Sequence, residues 1–262
     1  MSLKFKPYVG ITGFTRRKQI ETLLSEINPD LFGDRQLMVG VLVNARELTE
    51  PLIKRPGHYV SPYGIGQVFI KDERCLNIVH LCNIEPQRLY DNVVAIKNLA
   101  GPNFHGVQLN TSKLFHNHIQ RLVEGKICQR IILVVNSEVV KKYDGVMDKV
   151  ASFVKSYEGL VTDVLFDRSK GRATFITISE AVDFTRALCK ANVNDLNLVI
   201  AGGLDAEALQ DSSVVDYMKN HPHTSIDAEG KLLKHGGDYG LDYTRSFLYA
   251  RGGFALAKFV NP

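Results

Sequence analysis

The residues with the most chemical capacity stand where apolar runs stop. The stretch Ile200-Ala201-Gly202-Gly203-Leu204-Asp205-Ala206-Glu207 passes from an apolar run through two glycines into a helical pattern, with Asp205 placed to cap it. Glycines let the backbone approach an anion closely, and free N–H groups at a helix start can hold a phosphate. A tight turn accounts for the same pair of residues. Asp167 closes Val164-Leu165-Phe166-Asp167, ahead of the basic run Arg168-Ser169-Lys170-Gly171-Arg172. A carboxylate at such a position can have its pKa raised by burial and serve as a general acid. It can equally pair with Arg168 or Arg172, or cap the loop. Asp227 and Glu229 lie two apart at the end of a further apolar run, so in extended chain they face the same side. They suit hydrogen bonds to substrate hydroxyls, or simple anchoring of the loop.

Other apolar runs end on Thr12, Asn44, Asn83, Asn110 and Asn136. Asparagine also caps helices and tight turns, so the series says more than any one member: a polar mouth lies over an apolar body. Several chemistries are excluded. No apolar run carries a lysine, which disfavours a Schiff-base aldolase. No HxH pair or other metal-ligand spacing lies on the apolar runs, and no GxSxG elbow or Walker loop is present. His80 stands alone inside Ile78-Val79-His80-Leu81 and reads as a core histidine, while His116 and His118 fall on a helix and face solvent.

The elements that must position these residues alternate. Short apolar runs lie at Tyr8–Thr12, Met38–Val43, Leu76–Cys82, Gly106–Asn110, Ile131–Val135, Asp163–Asp167, Asn197–Ala201 and Thr224–Asp227. Helical patterns follow at about Arg17–Ile27, Pro86–Gly101, Lys113–Gly125, Gly145–Tyr157, Ser179–Ala191, Ala206–Lys219 and Leu241–Phe259, and a short helix is expected in the long second connection. Runs such as IILVV and NLVIA are apolar throughout, as in parallel strands covered on both faces. Gly64-Ile65-Gly66 lacks the third glycine of a dinucleotide fingerprint. Eight strand–helix units in 262 residues predict a single (β/α)8 barrel of α/β class spanning 1–262, with an extended loop around 44–74.

Composition agrees with a globular chain: 45% hydrophobic, 23% charged, net charge +4. Lysines and arginines are scattered among acids, so no nucleic-acid footprint is expected, and a basic mouth for an anionic small molecule fits better. Cys75, Cys82, Cys128 and Cys189 form no CxxC pair, and three sit in apolar surroundings, as in a reducing compartment. With neither a signal peptide nor an apolar run near 18 residues, a cytoplasmic protein without membrane contact is expected. No heptad pattern or interface patch is visible, which leaves the oligomeric state open.

The chain resembles phosphoribosylanthranilate isomerase, a (β/α)8 enzyme of tryptophan biosynthesis. The resemblance rests on Ile11-Thr12-Gly13-Phe14-Thr15-Arg16, Val107-Gln108-Leu109-Asn110, Leu165-Phe166-Asp167 and Ala201-Gly202-Gly203-Leu204, with fainter echoes in His58-Tyr59-Val60-Ser61 and Ser225-Ile226-Asp227. The resemblance implies an Amadori rearrangement of a phosphorylated aminoaldose without any cofactor. Asp167 then matches the general acid, and Thr12 stands where the family has its cysteine base. His58 takes the place of a substrate-binding arginine, and Asn110 that of a histidine. Gly202 and Gly203 retain the phosphate site, with Gln108 and Asp227 beside the substrate. A hydroxyl without an activating partner cannot accept a proton near neutrality as a thiolate does. Two readings follow: a diverged isomerase whose base is another residue, such as Cys82 or His58, or a non-catalytic barrel that binds a phosphorylated metabolite or regulates.

Overall fold

In the computed structural model, residues 5–50, 57–110, 116–168, 178–234 and 240–261 are described. The strands are β1 (Tyr8–Thr12), β2 (Gln36–Asn44), β3 (Cys75–Cys82), β4 (Gly106–Leu109), β5 (Arg130–Asn136), β6 (Asp163–Asp167), β7 (Asn197–Ala201) and β8 (Ser225–Ala228). All pair in parallel in sequence order, and β8 returns to β1 through Val9–Ile226, Gly10–Asp227 and Ile11–Ala228, which closes the barrel. The helices are α1 (Arg17–Glu26), α2 (Ile65–Val68), α3 (Leu89–Ala100), α4 (His116–Glu124), α5 (Ser137–Lys142), α6 (Met147–Lys155), α7 (Ile178–Lys190), α8 (Ser212–Asn220) and α9 (Tyr243–Val260). The chain is thus a (β/α)8 barrel, as the alternation predicts. None of its described helices is long and apolar enough to cross a membrane.

Strand parity divides the apolar residues between two cores. Residues such as Val9, Ile11, Val39, Val79, Val107, Val164 and Ile200 point outward and pack beneath the helices. Tyr8, Met38, Leu76, Ile78, Ile132, Val134, Leu165, Val199 and Ala201 point inward and fill the barrel. Because each strand feeds both cores, its sequence is apolar at nearly every position. The polar residues at the strand ends break this pattern, and they mark the two faces of the barrel.

Local signals set several boundaries. The Asn136 side chain accepts from the N–H groups of Glu138 and Val139, so α5 starts directly off β5, a helix the sequence pattern did not reveal. Gly101, with φ of 75°, ends α3 in a conformation that costs glycine little. Between β2 and β3 the described chain carries a 3-10 turn at Ala45–Leu48, another at Pro62–Gly64, and α2. The expected helix start at Lys113 and the basic residues 169–172 lie outside the described residues.

Candidate active site

The carboxyl ends of β3, β4, β6, β7 and β8 surround a small cavity of about 40 Å³, lined by His80, Gln108, Asp167, Gly202, Gly203, Asp227, Glu229 and their neighbours. At roughly 10–15 Å³ per water, it admits only the reacting end of a substrate. Five of the eight expected site residues therefore meet here: Asp167, Asp227, Gly202, Gly203 and Gln108. Thr12 joins from β1, where its Oγ1 donates to Asp227 Oδ1 at 3.4 Å. His58 reaches the rim, its Nε2 3.6 Å from Glu229 Oε1. Asn110 does not join them. It is exposed at the end of β4, its Oδ1 accepting from Asn136 Nδ2 at 2.9 Å.

Two glycines make room for the acid at the centre. A Cβ on Gly10 would lie 2.7 Å from Asp227 Oδ1 and 2.8 Å from Met38 Cε, and one on Gly40 would lie 2.8 Å from the Thr12 Cα. Only a bare backbone on β1 and β2 lets Thr12 and Asp227 pack side by side. Sequence reasoning missed both, because what each glycine accommodates belongs to another strand.

Burial governs the electrostatics. Asp227 is 4% exposed, and burial, followed by the charges of Glu229 and Asp167, pushes its carboxyl up to about 8. The hydrogen bond from Thr12 opposes this only in part. Glu229 is pushed up to about 7 by burial and by Asp167. Its side chain keeps 30% exposure, however, so water tempers that shift more than it does for Asp227. At neutral pH Asp227 thus carries a proton, chiefly because burial disfavours its charged form.

The described part of the mouth is acidic, and the basic loop residues 169–172 lie outside the described residues. Among the described lining residues there are three carboxylates and no lysine or arginine. The nearby cations are engaged with other acids: Arg168 Nη1 donates to Glu180 Oε1 at 2.7 Å, and Lys231 Nζ lies 3.6 Å from Asp205 Oδ2. Gly202 and Gly203, with φ of 106° and 66°, turn the chain sharply after β7, and their N–H groups donate to no carbonyl or side chain among the described residues. Asp205 caps the turn that follows by accepting from the Ala208 N–H at 2.8 Å.

Two alternative bases fare differently. Burial pushes the Cys82 thiol up to about 12, so it is not a thiolate near neutrality, and Tyr59 Oη donates to its Sγ at 3.8 Å. His58 keeps its place beside Glu229. The expectation that His80 is a satisfied core histidine is corrected. It lines the mouth, burial brings it down to about 4, and its Nε2 has no partner. His116 is exposed but not idle: it stacks on Tyr157 and bonds Ser156 through Nε2. No group of three or more His, Cys, Asp or Glu residues suited to a metal ion occurs among the described residues.

A larger cavity of about 550 Å³ lies at the opposite end, between the starts of β5, β6 and β7, lined by Phe5, Lys126, Gln129, Thr162 and Asn197 among others. It holds none of the perturbed acids. In barrels of this type chemistry sits at the carboxyl face, so composition rather than size selects the mouth.

No protein-family model matches the chain, and no curated protein matches it. Solved structures do. It is similar to the phosphoribosyl anthranilate isomerase from Thermococcus kodakaraensis, at 12% identity over 97% of this chain and 98% of that one, with a TM-score of 0.55. It is similar also to the family 18 chitinase from Crocus vernus, at 11% identity over 97% and 99%, TM-score 0.57. A third likeness is the catalytic domain of a family GH18 chitinase from the fern Peteris ryukyuensis, at 8% identity over 94% and 98%, TM-score 0.52. These likenesses establish a TIM barrel and do not set the isomerase apart from the chitinases.

Proposed function

We propose that this protein is an acid–base isomerase of a sugar-type substrate, of the kind that opens a phosphorylated aminoaldose and moves a proton between carbon and oxygen. The observation that carries the reading is the Asp227 carboxyl, buried, bonded by Thr12 and set beside Asp167 in the mouth. A carboxyl that burial keeps protonated supplies an acid, and a second carboxyl beside it can supply the base. This assigns the acid to Asp227, which holds its proton at neutral pH, and leaves Asp167 to accept one. It inverts the role that the family resemblance implies for Asp167.

The step balances with these two groups. Asp227 gives its proton to the ring oxygen as the C1–O bond breaks and the nitrogen lone pair forms the C1–N double bond. Asp167 takes the C2 proton, the C2–H electron pair becomes the C1–C2 double bond, and the C1–N π pair returns to nitrogen, leaving a neutral enolamine that tautomerises to the aminoketose. Thr12 positions Asp227 rather than acting as a base, since a hydroxyl donating to a carboxyl has no means of accepting the carbon-bound proton. The N–H groups at the Gly202–Gly203 turn suit the phosphate, and the three carboxyl groups favour uncharged hydroxyls everywhere else in the mouth.

Phosphoribosylanthranilate is the first substrate to offer, with turnover followed as loss of anthranilate fluorescence. Turnover is expected, and Asp227→Asn is expected to lower it at least ~100-fold, the usual scale for removing a general acid. Because the acid is lost as pH rises through about 8, turnover should fall above that value. Tight binding of a reduced substrate analogue with no turnover would instead favour the non-catalytic metabolite-binding barrel, which the Gly202–Gly203 turn also supports.

A further inference from the structure

His80 and Gln108 are register partners on adjacent strands, and both point into the barrel above Ile78. Both are buried, at 7% and 3% exposure, and both line the mouth cavity with Asp167, Gly202, Gly203 and Asp227. They share one hydrogen bond, Gln108 Nε2 to His80 Nδ1 at 3.4 Å. The remaining polar atoms, His80 Nε2 and Gln108 Oε1, have no partner. Buried polar atoms are seldom left unmatched, and a pair of them side by side in a cavity marks what the cavity is shaped to hold.

The shared bond constrains what the pair offers. If Gln108 Nε2 donates, His80 Nδ1 is the acceptor, the imidazole proton sits on Nε2, and the cavity sees one donor (His80 Nε2–H) and one acceptor (Gln108 Oε1). If the amide is turned over, His80 Nδ1–H donates to Gln108 Oε1, and the cavity sees the Gln108 NH2 donor and the His80 Nε2 acceptor. Either arrangement presents one donor beside one acceptor. A hydroxyl, which both donates and accepts, satisfies both at once. A phosphate or carboxylate oxygen can only accept, leaves the pair's acceptor facing negative charge, and adds repulsion from Asp167.

We propose that His80 and Gln108 form a two-point reader for a hydroxyl of the substrate, so that the mouth distinguishes a hydroxylated carbon from its deoxy counterpart. The inference rests on the mouth as the ligand site under the proposed function, not on the isomerisation itself. A site built to bond a hydroxyl rejects the analogue lacking it far more strongly than an apolar pocket distinguishes a methylene.

Ribose 5-phosphate and its 2-deoxy and 3-deoxy analogues, titrated calorimetrically against the whole chain, test it. Ribose 5-phosphate should bind at least ~10-fold more tightly than one of the two analogues, a conservative fraction of what such sites achieve. In Gln108→Leu and His80→Phe, each checked for intact thermal unfolding, that ratio should collapse to within ~2-fold. A merely structural role would weaken all three ligands in parallel and keep the ratio, which overturns the proposal, as does equal binding by the unaltered protein. If no phosphosugar binds, the phosphosugar reading falls, and a second measurement decides the reader separately. D-Ribose at high concentration should then move the His80 imidazole nitrogen resonances while 2- and 3-deoxyribose, one or the other, do not. No movement with any of them overturns it.

Discussion

The two ends of the barrel interior bury charge in opposite ways. At the amino end Arg130 is 2% exposed, yet its Nε donates to Asp163 Oδ2 at 2.8 Å and its Nη1 to the Lys6 carbonyl at 3.1 Å. Asp163 also accepts from Thr162 Oγ1 at 2.5 Å and from Asn197 Nδ2 at 3.4 Å. Arg130 and Asp163 thus each face the opposite charge. At the carboxyl end Asp227 has no countercharge: Thr12 donates to it, and the charges that act on it are those of Glu229 and Asp167, which repel it. Close by, His80 and Gln108 each keep a buried polar atom without a partner. The first arrangement plugs a barrel. The second lowers stability, and such arrangements cluster at functional sites.

The largest effect should come from breaking the plug. Arg130→Met leaves Asp163 buried without its countercharge and should cost ~3–5 kcal/mol in chemical denaturation, while Arg130→Met combined with Asp163→Leu should recover most of it. A small loss for the single variant would show that the amino end is not held by this pair. Gly10→Ala comes next, since its Cβ would meet Asp227 Oδ1 and Met38 Cε below 3.0 Å. Overpacking of this kind costs about 1–3 kcal/mol, read as a lowered denaturation midpoint.

Asp227→Asn at the mouth should do the reverse of Arg130→Met. A carboxyl with a raised native pKa binds its proton more tightly in the folded state, so its stabilisation is complete at low pH and is lost as pH rises from about 4 towards about 8. The variant lacks that loss. It should be more stable than the unaltered protein at pH 8–9, by ~1–2 kcal/mol or more, with the advantage gone near pH 4. A variant that is less stable at every pH would make Asp227 a structural residue like Asp163. The smallest effect is expected from Thr12→Val, within ~1 kcal/mol of stability, together with a further rise in the Asp227 pKa as the opposing hydrogen bond disappears.

The strands and their polar ends were legible because burial on both faces writes an apolar run and the barrel mouth interrupts it. Asp167, Asp227, Glu229 and the Gly202–Gly203 turn could be found from those interruptions alone. Their electrostatics could not, because the repulsion among the three carboxyl groups depends on the ends of β6 and β8 being brought close on either side of β7. His80 was the clearest misreading. A histidine in an apolar run looks like core, and its meaning depends on a partner, Gln108, brought level with it by a register no local pattern encodes. Gly10 and Gly40 were silent for the same reason. Asn110 and Asn136 illustrate the opposite error, since polar residues at strand ends also bond one another and cap helices at the rim.

The central claim is that the mouth holds a protonated carboxyl at neutral pH. A carbon-13 NMR titration of the side-chain carboxyls, with Asp227 assigned from its absence in Asp227→Asn, measures this directly. The account predicts a midpoint near 8 for Asp227. A midpoint near 4, the ordinary aspartate value, would contradict it.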